Sequence, residues 1–355
     1  MGREPKTNSP ESRGLAMGSH SIAIAKVERF RQTWVWERLR RSWMGELVRG
    51  FRGCRREFLA WLECPNVVLP EVKQLAESLT IFQPQISDET TGEKENEAPI
   101  FLLSTGWRAG STLLQRVLVT DPRLLLWGEP LGEMTIVPRI AEMLSHSISS
   151  RNLQLWKDQK DPSSRALSTS WVANLYPQGE DFRLALRSLF DKWLREPAQE
   201  RGFTRWGFKE VRLGATEASL LHWLYPKAKF VIISRHPYDS YRSLADAGWG
   251  QVYYRYPDVP AESAASFARH WNRLAVSWSH LPAAFPCIHI KYEELINHRV
   301  DFRRLEAWLG ITIQENVALS AAIGGTAKRV RLSWYERMII AREATEGMRG
   351  LGYSR

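Results

Sequence analysis

The feature that most constrains the fold is a stretch near residue 100 in which an apolar run, a loop of small residues and a second apolar run follow one another. Residues 100–103 (IFLL) have the composition of a short buried strand. Glycine, serine and threonine are concentrated in residues 104–112, and leucine and valine then recur at helical spacing from Leu113. The pattern predicts a strand that leads through a tight loop into the N-terminus of a helix.

A junction of this kind is suited to binding an anion. The first-turn amides of a helix have no helical partner, the helix dipole adds partial positive charge, and glycine lets an oxyanion approach the backbone. Arg108 adds a full charge. The loop differs from the phosphate loop G-x-x-x-x-G-K-[ST], because three residues separate Gly106 from Gly110 and no lysine precedes the hydroxyl pair. It therefore argues against a magnesium-dependent nucleotide triphosphatase, and taken alone it also fits an ordinary turn packed with small residues.

The composition is that of a soluble globular protein. Of the 355 residues, 44% are hydrophobic and 25% charged, and the net charge of +10 favours anionic ligands. The cysteines are odd in number and form no C-x-x-C pair, so they predict neither a disulfide framework nor a zinc site; they are Cys54, Cys64 and Cys287. No apolar run approaches the roughly 20 residues of a membrane span, and no signal peptide is recognised. We expect a cytoplasmic protein.

The first 98 residues differ in composition from the rest. Residues 1–25 have the composition of disordered chain, and residues 26–62 predict one or two basic amphipathic helices. These helices suit either peripheral contact with a membrane or an acidic partner, or packing on the main domain. Residues 63–98 are acidic and end in a polar linker. We therefore predict a helical extension over residues 1–98 and one domain over residues 99–355.

Further strands and helices alternate after the opening motif. Apolar runs predict strands at residues 123–127, 203–211, 229–234 and 287–292. Strands that alternate with helices imply an α/β fold with an open, mainly parallel sheet between two layers of helices, and its ligands lie beyond the C-terminal ends of the strands. Four charged side chains fall at such ends: Arg108, Glu129, Lys209 and Arg235.

A second motif, RHPYDSYRS, begins at Arg235 and ends at Ser243. The arginine follows the strand at residues 229–234, and Pro237 suits the first turn of the next helix. Ser240 and Ser243 lie three residues apart and share one face of that helix. An arginine and a serine in this arrangement can hold one phosphate together.

With these motifs, the chain from about residue 99 to its C-terminus resembles the sulfotransferases that use 3′-phosphoadenosine 5′-phosphosulfate (PAPS). In that family a loop R-x-G-[ST]-[ST]-L binds the 5′-phosphosulfate, and an arginine with a serine eight residues later binds the 3′-phosphate. This sequence has RAGSTL at residues 108–113, and Arg235 with Ser243. Three further segments match the family and occur in its order along the chain. WGFKEVRLG precedes the strand that leads to Arg235, IKYEELI comes after it, and LGY lies near the C-terminus. The resemblance is to the bacterial and tyrosylprotein-type branch, and it implies a P-loop-like three-layer sandwich.

The resemblance also implies roles for individual residues. The donor-binding set would be Arg108, Ala109, Gly110, Ser111, Thr112, Leu113, Arg235 and Ser243. Lys328 and Arg329 match a basic loop that often closes over the nucleotide, although a solvated basic turn has the same composition. Glu129 is the first choice for the general base and Glu133 the second, while Lys209 and Arg108 would stabilise charge on the transferring group. Cations and amides can stabilise such a transfer without a metal, so none is predicted. Because the charge inversion and the polar linker precede the first strand, we expect a protein that begins near Glu95 to retain nucleotide binding.

Several alternatives remain open from the sequence. Glu129 could cap a turn, and Lys209 could form a structural ion pair with Glu210 or Glu129. The protein could be a kinase-like phosphoryl transferase, a non-catalytic nucleotide-binding protein or a membrane-surface adaptor. The acceptor could be a small molecule, a saccharide, a lipid or a peptide, because acceptor pockets are built from variable segments. No nucleic-acid partner is predicted, and the oligomeric state is left open.

Overall fold

The computed structural model describes residues 75, 76, 79, 98–129, 135–146, 179–247, 263–314 and 330–354. Within these residues the centre of the fold is a five-stranded sheet in the order β2-β3-β1-β4-β5, and all four strand pairs are parallel. The strands are β1 Ile100–Ser104, β2 Leu124–Trp127, β3 Arg205–Glu210, β4 Lys229–Ser234 and β5 Cys287–Lys291. With β1 in the middle, the loop that follows it opens at the centre of the C-terminal edge of the sheet.

Helices fill the connections between the strands. Before β4 the helices are α1 Ser111–Leu118, α2 Ile136–His146, α3 Gly179–Phe190, a π-helical segment Asp191–Arg195, α4 Glu196–Glu200 and α5 Ala215–Leu224. After β4 they are α6 Pro237–Asp246, α7 Ala264–Trp278, α8 Tyr292–Ile296, α9 Phe302–Leu309, α10 Trp334–Glu343 and α11 Thr345–Gly350. None of the described helices is both long enough and apolar enough to cross a membrane.

Helices cover both faces of the sheet, as the side chains of β1 illustrate. Phe101 and Leu103 point into one core cluster together with residues of α2, α3 and α5. Ile100 and Leu102 point to the opposite face, into a second cluster with residues of α1 and α9. A parallel strand that is buried on both faces reads as a continuous apolar run, which is how β1 and β4 appear in the sequence. The predicted three-layer α/β fold is confirmed, whereas the predicted N-terminal helices lie outside the described residues.

A third core cluster lies beyond the sheet and joins α6, α7, α10 and α11. Trp107, from the loop after β1, is buried in this cluster together with Trp271 and Met348. The helices approach closely at Gly347, where a Cβ atom would lie 2.6 Å from the Cβ atom of Ala275. The C-terminal helices α10 and α11 therefore share a core cluster with Trp107 of the loop between β1 and α1.

Two leucines from the region before residue 98 belong to the first core cluster. Leu75 is fully buried and Leu79 is 5% exposed. The boundary at residues 98/99 stays a prediction, and these contacts provide a way to test it. A protein that begins near residue 95 would lack both leucines and would leave the apolar surface beneath them uncovered.

We expect Leu75→Ala to lower the free energy of unfolding by about 2 to 5 kcal/mol, the usual cost of truncating a buried leucine. Leu184→Ala is the control, because 47% of that leucine is exposed. Chemical denaturation of the two variants measures the difference. A cost no larger than that of the control would mean that the core does not depend on residue 75, and would favour the boundary at residues 98/99.

Candidate active site

The loop between β1 and α1 has the backbone geometry of an anion site. Gly106, Arg108 and Gly110 all have positive φ angles, of 112°, 64° and 92°. For a non-glycine residue such as Arg108 this left-handed conformation costs about 1 to 2 kcal/mol. Strain of this kind persists where the surrounding structure enforces it, and it is concentrated at functional sites. Gly110 caps α1, and its carbonyl accepts hydrogen bonds from the N–H groups of Leu113 and Leu114 at 3.0 and 3.1 Å.

Gly110 is also fixed by a close contact with Tyr292, the first residue of α8. A Cβ atom at Gly110 would overlap the Tyr292 ring. The guanidinium group of Arg235 lies over the same ring, 4.2 Å from its centroid. The aromatic ring therefore holds the glycine of one motif and the arginine of the other next to each other.

The two sequence motifs meet through their arginines. Arg235 donates a hydrogen bond from Nη1 to the carbonyl oxygen of Arg108 at 3.1 Å, and Arg108 donates from Nε to Ser243 Oγ at 3.0 Å. The resemblance predicts Arg108 at the 5′ end of the nucleotide and Ser243 at its 3′-phosphate, so their direct contact is a finding that the sequence did not predict. The arrangement brings two cations and a hydroxyl to one side of the loop.

Three buried polar atoms of these two segments have no hydrogen-bond partner among the described residues. They are the Nε atom of Arg235, the hydroxyl of Ser240 and the hydroxyl of Thr105. A buried donor without a partner costs roughly 1 to 3 kcal/mol, so such atoms are usually satisfied by a ligand or water. Guanidinium groups and hydroxyls are the donors that bind phosphate and sulfate groups. The residues present therefore fit a ligand with several negative charges.

A second group of charged side chains surrounds Glu129. Its Oε1 atom lies 2.5 Å from Lys209 Nζ, and its Oε2 atom lies 3.0 Å from Arg212 Nη1. Lys209 and Arg212 are buried, at 6% and 3% exposure, whereas the Glu129 side chain is 29% exposed. The carboxylate is therefore held by two buried cations and remains open to solvent on one side. The ion pair between Lys209 and Glu129 that the sequence left open as an alternative is formed.

Arg212 links Glu129 to a second, deeply buried carboxylate. Its Nη1 atom also contacts Glu210 Oε1 at 2.7 Å, and the N–H of Val211 donates to the same oxygen at 2.8 Å. Burial raises the pKa of Glu210, and the charge of Arg212 acts in the opposite direction. Arg212 is not among the predicted site residues, because nothing in its spacing in the sequence distinguishes it from a surface arginine.

His270 on α7 is a further residue that sequence analysis missed. It is stacked on Trp107 with ring centroids 4.5 Å apart, and it lies beside Gly106, where a Cβ atom would be 3.6 Å from His270 Cδ2. Burial, with the charges of Arg273 and Arg212, holds the pKa of His270 well below its usual range. The histidine is therefore neutral, and it packs against Trp107 and Gly106 of the loop.

The candidate residues fall into two groups at the C-terminal edge of the sheet. Arg108, Arg235 and Ser243 form one group, and Glu129 with Lys209 forms the other. The two groups are neighbours in the sheet. The loop that carries Arg108 follows β1, and Lys209 lies on the adjacent strand β3, where it pairs with Leu102 of β1. Glu133, Lys328 and Arg329 lie outside the described residues. In the part of the chain that the structure describes, no three His, Cys, Asp or Glu side chains converge as a metal-binding group.

Comparison with known proteins gives one match to a family. The sequence profile described as the sulfotransferase family matches residues 99–315, which is more than half of the chain. No curated protein sequence matches the chain.

Solved sulfotransferase structures match at low identity. The sulfotransferase domain of the Synechococcus PCC 7002 olefin synthase is 17% identical, with a TM-score of 0.40, and the match covers 77% of this chain and 99% of that domain. The domain from the curacin biosynthetic pathway is 16% identical, with a TM-score of 0.38 and coverage of 72% and 98%. A sulfotransferase from Alicyclobacillus acidocaldarius is 16% identical, with a TM-score of 0.39 and coverage of 71% and 94%. At these values the solved structures add no argument to the family profile.

Proposed function

The chain belongs to the sulfotransferase family, and from this premise we propose that it transfers a sulfuryl group from PAPS to a hydroxyl or amine of an acceptor. The observation that carries the proposal is the contact between the two motifs. Arg235 donates to the carbonyl oxygen of Arg108, Arg108 donates to Ser243, and buried donors of the same two segments have no hydrogen-bond partner among the described residues. A ligand with anionic groups at both ends of a nucleoside would satisfy these donors.

The donor would be bound by the loop after β1 and by the start of α6. The first-turn amides of α1 and the hydroxyls of Ser111 and Thr112 suit the 5′-phosphosulfate, because a helix N-terminus favours an oxyanion. Arg235 and Ser243 suit the 3′-phosphate. When bound, PAPS supplies an activated sulfuryl group with adenosine 3′,5′-bisphosphate as its leaving group.

The chain's own residues would position and stabilise an in-line displacement at sulfur. A new bond forms between the acceptor oxygen and sulfur while the bond from sulfur to the bridging oxygen of the donor breaks. Lys209, Arg108 and the loop amides would stabilise negative charge on the sulfonate and bridging oxygens. Glu129 would take the proton that the acceptor hydroxyl loses.

The position of Glu129 suits this role. Both carboxylate oxygens are held, one by Lys209 and the other by Arg212, so the orientation of the group is fixed. The side chain is partly exposed, so an acceptor can reach it. A base that is held in place in this way needs little reorganisation before it accepts a proton.

We expect adenosine 3′,5′-bisphosphate to bind far more tightly than adenosine 5′-phosphate, because Arg235 and Ser243 act on the 3′-phosphate. Arg235→Ala should remove about 1.5 to 3 kcal/mol of that preference, the usual range for hydrogen bonds to a charged group. Isothermal titration calorimetry with both nucleotides measures it. Arg139→Ala is the control, because Arg139 is a surface arginine paired with Glu142. Equal affinities of the unaltered protein for the two nucleotides would overturn the assignment of the 3′-phosphate site.

A kinase-like phosphoryl transferase is the second candidate from the sequence. Such an enzyme would need a loop lysine and a carboxylate for magnesium, whereas the loop carries Arg108 and no lysine. Activity that persists in EDTA would favour sulfuryl transfer, and activity that depends on added magnesium and ATP would favour the kinase. The acceptor class stays open among small molecules, saccharides, lipids and peptides.

A further inference from the structure

The C-terminal turn, residues 351–354, lies against the end of β4. It follows α11, and the N–H of Tyr353 donates to the carbonyl of Met348 at 2.8 Å. The Tyr353 hydroxyl lies 2.9 Å from Ser234 Oγ, which belongs to the last residue of β4, and donates to Glu293 Oε2 on α8 at 3.1 Å. The turn therefore reaches the residue that immediately precedes Arg235.

The Glu293 carboxylate also contacts the residue that follows Arg235. Glu293 Oε1 accepts a hydrogen bond from the backbone N–H of His236 at 2.9 Å. Since a carboxylate only accepts and the Tyr353 hydroxyl has one proton, Ser234 donates to Tyr353, and Tyr353 donates to Glu293. Burial raises the pKa of Tyr353, so the hydroxyl keeps the proton that this order requires. The chain of bonds joins Ser234 to His236, the two neighbours of Arg235.

Further contacts hold the arginine and the turn in the same place. The indole N–H of Trp271 donates to the carbonyl oxygen of Arg235 at 3.1 Å. The Nε2 atom of His236 lies 2.9 Å from the carbonyl oxygen of Ser354. Lys291 Nζ lies over the Tyr353 ring, 4.9 Å from its centroid. The backbone at Arg235 is thus fixed before, at and after the residue, although the chain changes there from strand to helix.

A fixed backbone determines where the guanidinium group of Arg235 can lie. The group reaches the Arg108 carbonyl and the Tyr292 ring in one orientation. A recognition side chain contributes more to affinity when its support is already rigid, because less ordering is needed on binding. A movement of the Arg235 backbone by a fraction of an ångström would weaken its contact with a phosphate.

We propose that Tyr353 and Glu293 are positioning residues for Arg235, so that the C-terminal turn helps to select nucleotides that carry a 3′-phosphate. The proposal rests on the proposed donor. Neither residue needs to touch the nucleotide, since both act through the backbone on either side of the arginine. An ordinary packing role would affect stability alone, whereas a positioning role also affects the choice between nucleotides.

The test compares Tyr353→Phe with a matched control. Calorimetry gives the affinity of each protein for adenosine 3′,5′-bisphosphate and for adenosine 5′-phosphate, and the ratio of the two affinities is the readout. We expect Tyr353→Phe to lower the ratio about 2- to 10-fold, the effect of one hydrogen bond. Tyr225→Phe is the control, because that buried hydroxyl also donates to a carboxylate, Asp191 Oδ1, at 2.9 Å. The control should lose stability and keep the ratio.

Two more variants keep the inference testable if Tyr353→Phe does not fold. Glu293→Gln keeps the shape of the side chain and removes its charge, and Ser234→Ala removes the first donor and leaves the bond from Tyr353 to Glu293. Each should lower the ratio in a folded protein. An unchanged ratio in the folded variants, or an equal fall in Tyr225→Phe, would overturn the positioning role and leave the proposed function intact. An unaltered protein with no preference for the bisphosphate would overturn the proposed function and this inference with it.

Discussion

Replacing Glu129 by glutamine is expected to lower turnover about 10²- to 10⁴-fold, the usual contribution of general acid–base catalysis, with little change in nucleotide affinity. Glutamine keeps the shape of the side chain, and its amide oxygen can still accept a hydrogen bond from Lys209 or Arg212. It cannot accept a proton from the acceptor. Steady-state kinetics with calorimetry on the same protein separates the two effects.

The control for this variant is Glu142→Gln. Glu142 is a surface glutamate whose partner is Arg139 at 3.0 Å, and exposed pairs of this kind contribute little. Normal turnover in Glu129→Gln combined with a loss in Glu133→Gln would move the base four residues along the chain. Normal turnover in both variants would mean that the base implied by the family resemblance is wrong for this protein.

Lys209→Ala is expected to lower turnover about 10²- to 10³-fold, the loss seen when one donor that stabilises transition-state charge is removed. The lysine acts on the sulfonate and leaving oxygens, so this loss should not depend on the acidity of the acceptor as the Glu129→Gln loss does. A series of acceptors with graded pKa values, measured with both variants, distinguishes the two roles.

Lys192→Ala is the matched control, because Lys192 is exposed and pairs with Glu196 at 2.8 Å. Lys209 is buried and pairs with Glu129, so its removal leaves that carboxylate with one cation fewer and is expected to lower stability as well. Thermal unfolding is therefore measured alongside turnover. Lower stability with unchanged turnover would assign Lys209 to the structural ion pair and remove it from catalysis.

Much of the fold follows from local pattern. The sequence predicts β4 at the residues where the structure has it, because KFVIIS is an apolar run of strand length between two breaks. The helix after it begins at Pro237, as predicted from the preference of proline for the first turn. The placement of Lys209 and Arg235 near the ends of strands also follows, since a parallel sheet gathers those ends at one edge.

Contacts between distant segments could not be predicted in this way. Arg108 and Ser243 are 135 residues apart, and neither periodicity nor composition indicates that they touch. Arg212 pairs with Glu129 and Glu210, and His270 packs on Trp107, and neither set of contacts is indicated by the local sequence. Leu75 lies in a region whose acidic composition favours a linker, although that leucine is fully buried. Burial of this kind depends on tertiary structure and leaves little local signal in the sequence.

Sulfuryl transfer that depends on Glu129 is the central claim, and a comparison of host cells that produce the unaltered protein or Glu129→Gln tests it most directly. High-resolution mass spectrometry of their metabolites and peptides separates an added SO₃ group from an added HPO₃ group. We predict a product that carries SO₃ in cells with the unaltered protein and a large decrease of that product with the variant. A product that carries HPO₃, or an SO₃ product that is equally abundant with both proteins, would contradict it.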